Sequence, residues 1–187
     1  IALLSKVVGL KGGFLIWSFF IILVFIRGVF HFSRIWVDDR AAAYAAVLAV
    51  FSTSFGEALH IFGQLPSITG IALLLNACPE LYYWLRYNQP HRLLTGLSLL
   101  AVTSTAHHVT TIFGMVFFVL PTLGLAVMNR CAARIGSEDD IHFKDIFTEV
   151  IRVLPRVIVF GILVILITVV VIFPYWYWSK SDPIAQV

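Results

Sequence analysis

"EALHIFGQLPS", residues 57–67, breaks a chain of 187 residues that is otherwise mostly oily, with 60% hydrophobic and only 12% charged residues. A soluble domain normally carries about 25% charged residues, so this is the composition of an integral membrane protein. The break separates two apolar segments, 41–55 before it and 67–85 after it. Four further apolar segments cover 13–32, 93–106, 109–128 and 157–174. A transmembrane helix takes about 20 mainly apolar residues. The expected fold is therefore all-α, a polytopic transmembrane bundle of about six helices in a single transmembrane domain over 1–187.

Segments 41–55 and 93–106 are short. They are tilted against partners, extended by polar turns, or do not reach both surfaces. Residues 1–10 read as the tail of an earlier helix. With Ile1 first and "DPIAQV" last, the chain reads as an internal piece of something longer.

Lysine and arginine in short connections report orientation, because they gather on the cytoplasmic side. Arg34 and Arg40 lie in 33–40, Arg86 and Arg92 in 86–92, and Arg130, Arg134, Lys144, Arg152 and Arg156 in 129–156. These connections read as cytoplasmic. Lys6 and Lys11, which six crossings put outside, go against the rule. The net charge of +3 is small and scattered, a matter of topology that gives no reason to expect nucleic acid as a partner. Cys78 and Cys131 have no metal-type spacing.

Within the cytoplasmic connector 129–156, "HFKDIFTEVIRV" at 142–153 puts Phe143, Ile146, Phe147, Val150 and Ile151 on one stripe. That spacing predicts one amphipathic helix lying on the membrane surface or on neighbouring helices. Farther on, Pro174 is expected to end a helix, and Tyr175 to Trp178 to form an interfacial aromatic belt. Asp38 or Asp39 is placed to cap the second helix, Pro79 to kink the third, and Glu80 to pair with Arg86.

In this topology Glu57, His60, Gln64, His107 and His108 all fall on the external side. Polar groups at membrane depth are costly and generally face a bundle interior or a watery cavity. Glu57, His60 and Gln64 share one helical face if the second helix continues past Gly56. The 14-residue segment 93–106 rises about 21 Å as a helix, short of a hydrocarbon core of about 30 Å, so the "AHHVT" turn is expected to be recessed. A recess with imidazoles and the hydroxyls of Ser104, Thr105, Thr110 and Thr111 suits an anionic headgroup or a metal, and a neutral imidazole can also take or give a proton. The bland alternative, polar residues solvating an interfacial turn, stands beside it. No nucleophile elbow, phosphate loop, metalloprotease helix or CxxC occurs.

Residues 38–128 carry a resemblance. "DDRAAAYAAVLAVFS", "EALHIFGQLPSITGIALLLNA", the basic turn "RYNQPHR" and "LLTGLSLLAVTSTAHHVTTIFG" resemble the central helices of polytopic bacterial membrane glycosyltransferases of the GT-C type. Within that group they are most similar to the 6-pyruvoyl-tetrahydropterin synthase-related membrane proteins. The resemblance implies a bacterial inner (plasma) membrane and a polyprenyl-phosphate sugar donor used at the external face. It implies an essential acid in a first external loop upstream of these residues, with or without a divalent metal. It also implies that His107 or His108 meets the lipid phosphate or the acceptor, with Glu57, His60 and Gln64 nearby as substrate-binding residues.

Two other classes compete. An accessory or scaffold subunit of a larger, energy-transducing membrane complex would pack against other membrane subunits through its Ala- and Gly-rich helices. In that version His31, His60, His107 or His108 would ligate haem or chlorin. A transporter would place its site near the midplane at a broken helix, and Asn76 and Pro79 inside the third segment are the feature in its favour.

Overall fold

The computed structural model describes residues 2–57, 64–135 and 143–181. Among them the chain is all-helical, with no strand. In order, α1 is Ala2–Ser33, α2 Asp39–Val50, the short α3 Thr53–Gly56, α4 Leu65–Tyr87, α5 Pro90–Ala106, α6 His108–Gly114, α7 Leu120–Ile135 and α8 Phe143–Ser181. A π-helical turn, Met115–Val119, joins α6 to α7. Residues 2–8 are set off within α1 by Gly9, whose φ of 76° lies in the left-handed region that glycine enters without a Cβ clash.

Three helical stretches are long and apolar enough to cross a membrane: Ser5–Ser33, His108–Ala133 and Phe143–Pro174. Six had been expected. Helix α2 has 12 residues and α5 has 17, and the apolar run of α4 is interrupted by Asn76, Pro79 and Glu80. Yet α4 is the helix the others surround. It packs on α1, α5, α6 and α7, while α8 lies on α5 and α7. Its buried face includes Leu74, Ala77, Cys78, Leu81 and Leu85, all at 0% exposure.

Local chemistry explains how α4 begins and ends. Pro66 sits in its first turn, where a missing amide hydrogen does no harm. Asn88 ends it at φ 58° in the left-handed region, a conformation asparagine tolerates better than most residues. The chain then reverses into α5 through Pro90. Helix α2 begins as expected, with Asp38 Oδ1 accepting hydrogen bonds from the Arg40 and Ala41 amides, both at 2.9 Å. It stops at Val50, and the Ser52 hydroxyl donates back to the Ala49 carbonyl at 2.9 Å. The second helix therefore does not run unbroken to Glu57.

Cross-helix pairs fix the two ends of the bundle. Ser67 on α4 meets His107 after α5, whereas Glu80 on α4 meets Arg92 at the start of α5. Helix α1 runs parallel to α4, from Trp17 beside Thr69 to Arg27 beside Asn76. One end thus carries His107, and the other carries the arginines. Glu80 pairs with Arg92 through both carboxylate oxygens, at 2.9 and 2.8 Å, and not with Arg86. Six residues along a helix point well away, and Arg86 instead donates to the Tyr82 hydroxyl at 2.7 Å.

The stretch expected to be a separate amphipathic helix is the first part of α8. Its predicted apolar stripe is the exposed side, with Phe143 at 81% and Phe147 at 55%, while Glu149 is buried at 3%. Burial of that carboxylate is made tolerable by Arg130, whose Nε donates to it at 2.7 Å. Nη1 of Arg130 also donates to the Leu85 and Arg86 carbonyls at 2.7 and 3.2 Å. It thereby satisfies orphan acceptors at the C-terminus of α4, where a cation is favoured. Pro174 lies inside α8 and does not end it.

Candidate functional site: the His107 turn and its groove

The His107 turn is built by a helix that cannot continue. At His107 the backbone is extended (φ −161°, ψ 96°), ending α5 and starting α6. The residue caps both helices. Its amide donates to the Thr103 carbonyl at 2.8 Å, and its Nδ1 receives the Thr110 amide at 3.3 Å, the satisfaction a helix N-terminus requires. Nδ1 also lies 2.8 Å from the Thr110 hydroxyl. On the other side of the ring, Nε2 is 3.3 Å from the Ser67 hydroxyl on α4. The imidazole is thereby pinned between two helices. Gly70 permits the approach, since a Cβ there would stand 3.2 Å from the Thr110 Cβ and 3.3 Å from the His107 Cβ.

The other expected site residues sit differently. His108 is exposed, its ring centroid 6.1 Å from that of His107. Glu57 and Gln64 are exposed, and among the described residues no hydrogen bond joins either side chain to the histidines. His60 lies outside the described residues. Ser104 and Thr105 donate to their own helix, to the Leu100 carbonyl at 3.0 Å and the Ala101 carbonyl at 2.7 Å. Only Thr110 of the four expected hydroxyls faces the histidine. Thr111 is buried, and its Oγ1 has no partner among the described residues.

Beside this turn a cavity of about 460 Å³ runs between α1, α4 and α6. Ser67 and Thr110, both against the His107 ring, line it together with Ser52 and the apolar Phe25, Ile71, Leu74 and Phe118. A mostly apolar slot with hydroxyls on its wall, two of them held by the His107 ring, has the chemistry of a site for an amphiphile: a hydrocarbon chain within, a polar head beside the hydroxyls. Sequence reasoning missed Ser67 and the groove, because both arise from helices far apart in the chain. The "GQLPS" motif did hold the signal.

No group of three or more His, Cys, Asp or Glu side chains able to hold a metal occurs among the described residues. His31, on α1 at the arginine-rich end, is at the opposite end of the bundle from His107 and His108, and His60, the fourth histidine considered for haem, lies outside the described residues. No family model, curated protein or solved structure matches the chain.

Proposed function

We propose that this chain is part of a multi-pass membrane protein of the glycosyltransferase-like kind, holding a polyprenyl-phosphate sugar donor at the external face of a bacterial plasma membrane. The hydrocarbon chain lies in the groove between α4 and α6, and the phosphate lies at the His107 end, on the side of the exposed His108. The observation that carries this reading is the groove itself, largely apolar but with the Ser67 and Thr110 hydroxyls beside His107 on its wall. A lipid of that class has the same polarity profile.

The same reading takes α4 and α5 as crossings alongside the three long apolar helices, with the 12-residue α2 returning the chain between α1 and α4. The 23 residues of α4 rise about 34 Å at the usual helical pitch, enough for a hydrocarbon core of about 30 Å. With the arginines inside, the His107 end faces outward. None of the residues at that end is given the part of general base. They bind and orient the lipid phosphate, His108 by hydrogen bonding, His107 by holding the turn.

The test is a binding titration of the detergent-purified protein with a long-chain polyprenyl phosphate and with the corresponding polyprenol. Val109→Trp, which fills the groove from its wall, is expected to weaken binding of the phosphate by about tenfold or more. The polyprenol is expected to bind more weakly to wild type. Equal binding of both lipids, unmoved by Val109→Trp, would sink the proposal.

A second reading, an accessory subunit, is favoured by α8, whose most apolar window is only 6% buried. Such a helix fits partner helices as well as lipid. Co-purification of stoichiometric subunits from the native membrane, with no polyprenyl-phosphate binding, would choose it.

A further inference from the structure

At the arginine-rich end, far from the groove, α1, α4 and α5 enclose a second cavity of about 250 Å³. Its walls are polar: Arg27, His31, Arg34, Asn76, Glu80 and Arg92, with Tyr83 and Pro79. Among these lining residues there are three guanidiniums and one carboxylate, and Arg92 holds that carboxylate with both oxygens engaged. Arg34 pairs with Asp39 at 2.6 Å, an aspartate whose side chain is 74% exposed. Arg27 differs from both. Its partner is the Asn76 amide oxygen, and among the described residues no carboxylate stands within ion-pairing distance of it.

Asn76 is fixed as a bracket. It is 4% exposed, and its Nδ2 donates to the Val24 carbonyl at 2.9 Å and the Ala72 carbonyl at 2.8 Å. Two carbonyl acceptors determine which end of the amide carries hydrogens, so the oxygen is left for Arg27. Gly28 makes room, since a Cβ there would lie 2.7 Å from Nδ2 of Asn76. Arg27 belongs to the span Ser5–Ser33, six residues or about 9 Å before its end. An arginine at that depth is costly, and where it occurs it commonly marks a ligand path or site. Here a buried amide oxygen holds the guanidinium in a cleft whose one carboxylate, Glu80, is taken by Arg92, beside two more guanidiniums.

We propose that this cleft binds a phosphate group, gripped by Arg27 with Arg34 and Arg92 as flanking cations. Guanidinium forks match phosphate oxygens in geometry as well as charge, and basic pockets between transmembrane helices on the cytoplasmic side hold lipid head groups. Two sources share that chemistry, an anionic phospholipid head group and a free phosphate. The site is distinct from the groove, at the other end of α4.

The experiment measures binding of dioctanoyl phosphatidic acid, dioctanoyl phosphatidylcholine and inorganic phosphate to the purified full chain in neutral detergent. Phosphatidic acid is expected to bind, and Arg27→Gln to weaken it by about tenfold or more, whereas Arg40→Gln, on the same basic end but outside the cleft, changes it less than about twofold. Val109→Trp is expected to leave it unchanged. Competition by inorganic phosphate identifies a site open to free phosphate, and its absence identifies the lipid head group as the ligand. Should Arg27→Gln fail to give monodisperse protein, Arg34→Gln is read instead, with a loss of about threefold or more expected. The proposal is overturned if neither phosphatidic acid nor inorganic phosphate binds, if the cleft variant binds as wild type does, or if Arg40→Gln costs as much. Equal binding of phosphatidylcholine would also overturn it.

Discussion

Arg130 and Glu149 meet at 2.7 Å, from helices α7 and α8, with 12% and 3% of their side chains exposed. The pair ties the start of α8 to the end of α4 through the Leu85 and Arg86 carbonyls. Glu149→Ala would leave the Arg130 charge buried without its anion and is expected to cost about 3–5 kcal/mol. Arg152→Ala, which removes the 53% exposed partner of the same carboxylate, is expected to cost about 0–1 kcal/mol. Thermal unfolding in one detergent, with the two variants side by side, checks the contrast. Comparable losses would mean that Arg130 is not the partner that matters.

Gly28 lets α1 approach α4 closely. An added Cβ would meet Nδ2 of Asn76 at 2.7 Å and the Ala72 carbonyl oxygen at 3.0 Å. The backbone oxygen cannot swing aside, so Gly28→Ala is expected to destabilise by about 1–3 kcal/mol. Gly124→Ala, where nothing stands within 4 Å, is expected to be neutral or slightly stabilising because alanine favours helix. The melting temperatures of the two variants decide it.

His107 offers a separation of structure from chemistry. His107→Ala removes a side-chain cap and is expected to cost about 0.5–2 kcal/mol. His107→Asn restores a strong capping residue and is expected to recover most of that loss. A His107→Asn protein as stable as wild type, yet no longer binding polyprenyl phosphate, would show that the imidazole itself meets the ligand. Retained binding is the expected outcome, and it would confine His107 to holding the turn and leave the phosphate contact to His108.

Cys78 and Cys131 are 0% and 3% exposed. Neither should react with a water-soluble maleimide in the folded protein, and both should react once it is denatured. Counting adducts by intact mass before and after denaturation gives the answer. An adduct on the folded chain at Cys78 would mean that α4 is not the enclosed helix described above.

Much of the helix pattern was readable because its punctuation is local. Asp38, Pro66 and the Asn88-Gln89-Pro90 turn declare their boundaries through side-chain chemistry and fixed dihedrals. The Phe143 to Ile151 stripe was also readable as a stripe, but periodicity identifies two faces without saying which solvent each prefers. The apolar face is exposed and the carboxylate turns inward, because Arg130 waits there. Arg27 was invisible for a different reason. It lies within an apolar run, and its bracket Asn76 is 49 positions away. Likewise Arg92 rather than Arg86 was the partner of Glu80, a choice made by the α4–α5 hairpin and not by spacing along one helix.

The π-turn at Met115–Val119 keeps two inward faces in step. Thr111 and Gly114 are buried before it, Val119 is buried as its last residue, and Leu123 and Ala126 are buried after it, so the interval from 114 to 119 is five residues where a regular helix would use three or four. One residue more than the α-helical repeat is what a π-turn accommodates. The segment therefore behaves as one letter more than a regular helix would spell, its excess absorbed locally so that everything downstream still reads in frame. Deleting any one residue of 116–118 should give back an ordinary helix with both halves correctly faced, whereas a single deletion in 121–125 should turn the inward face of the following turn toward lipid.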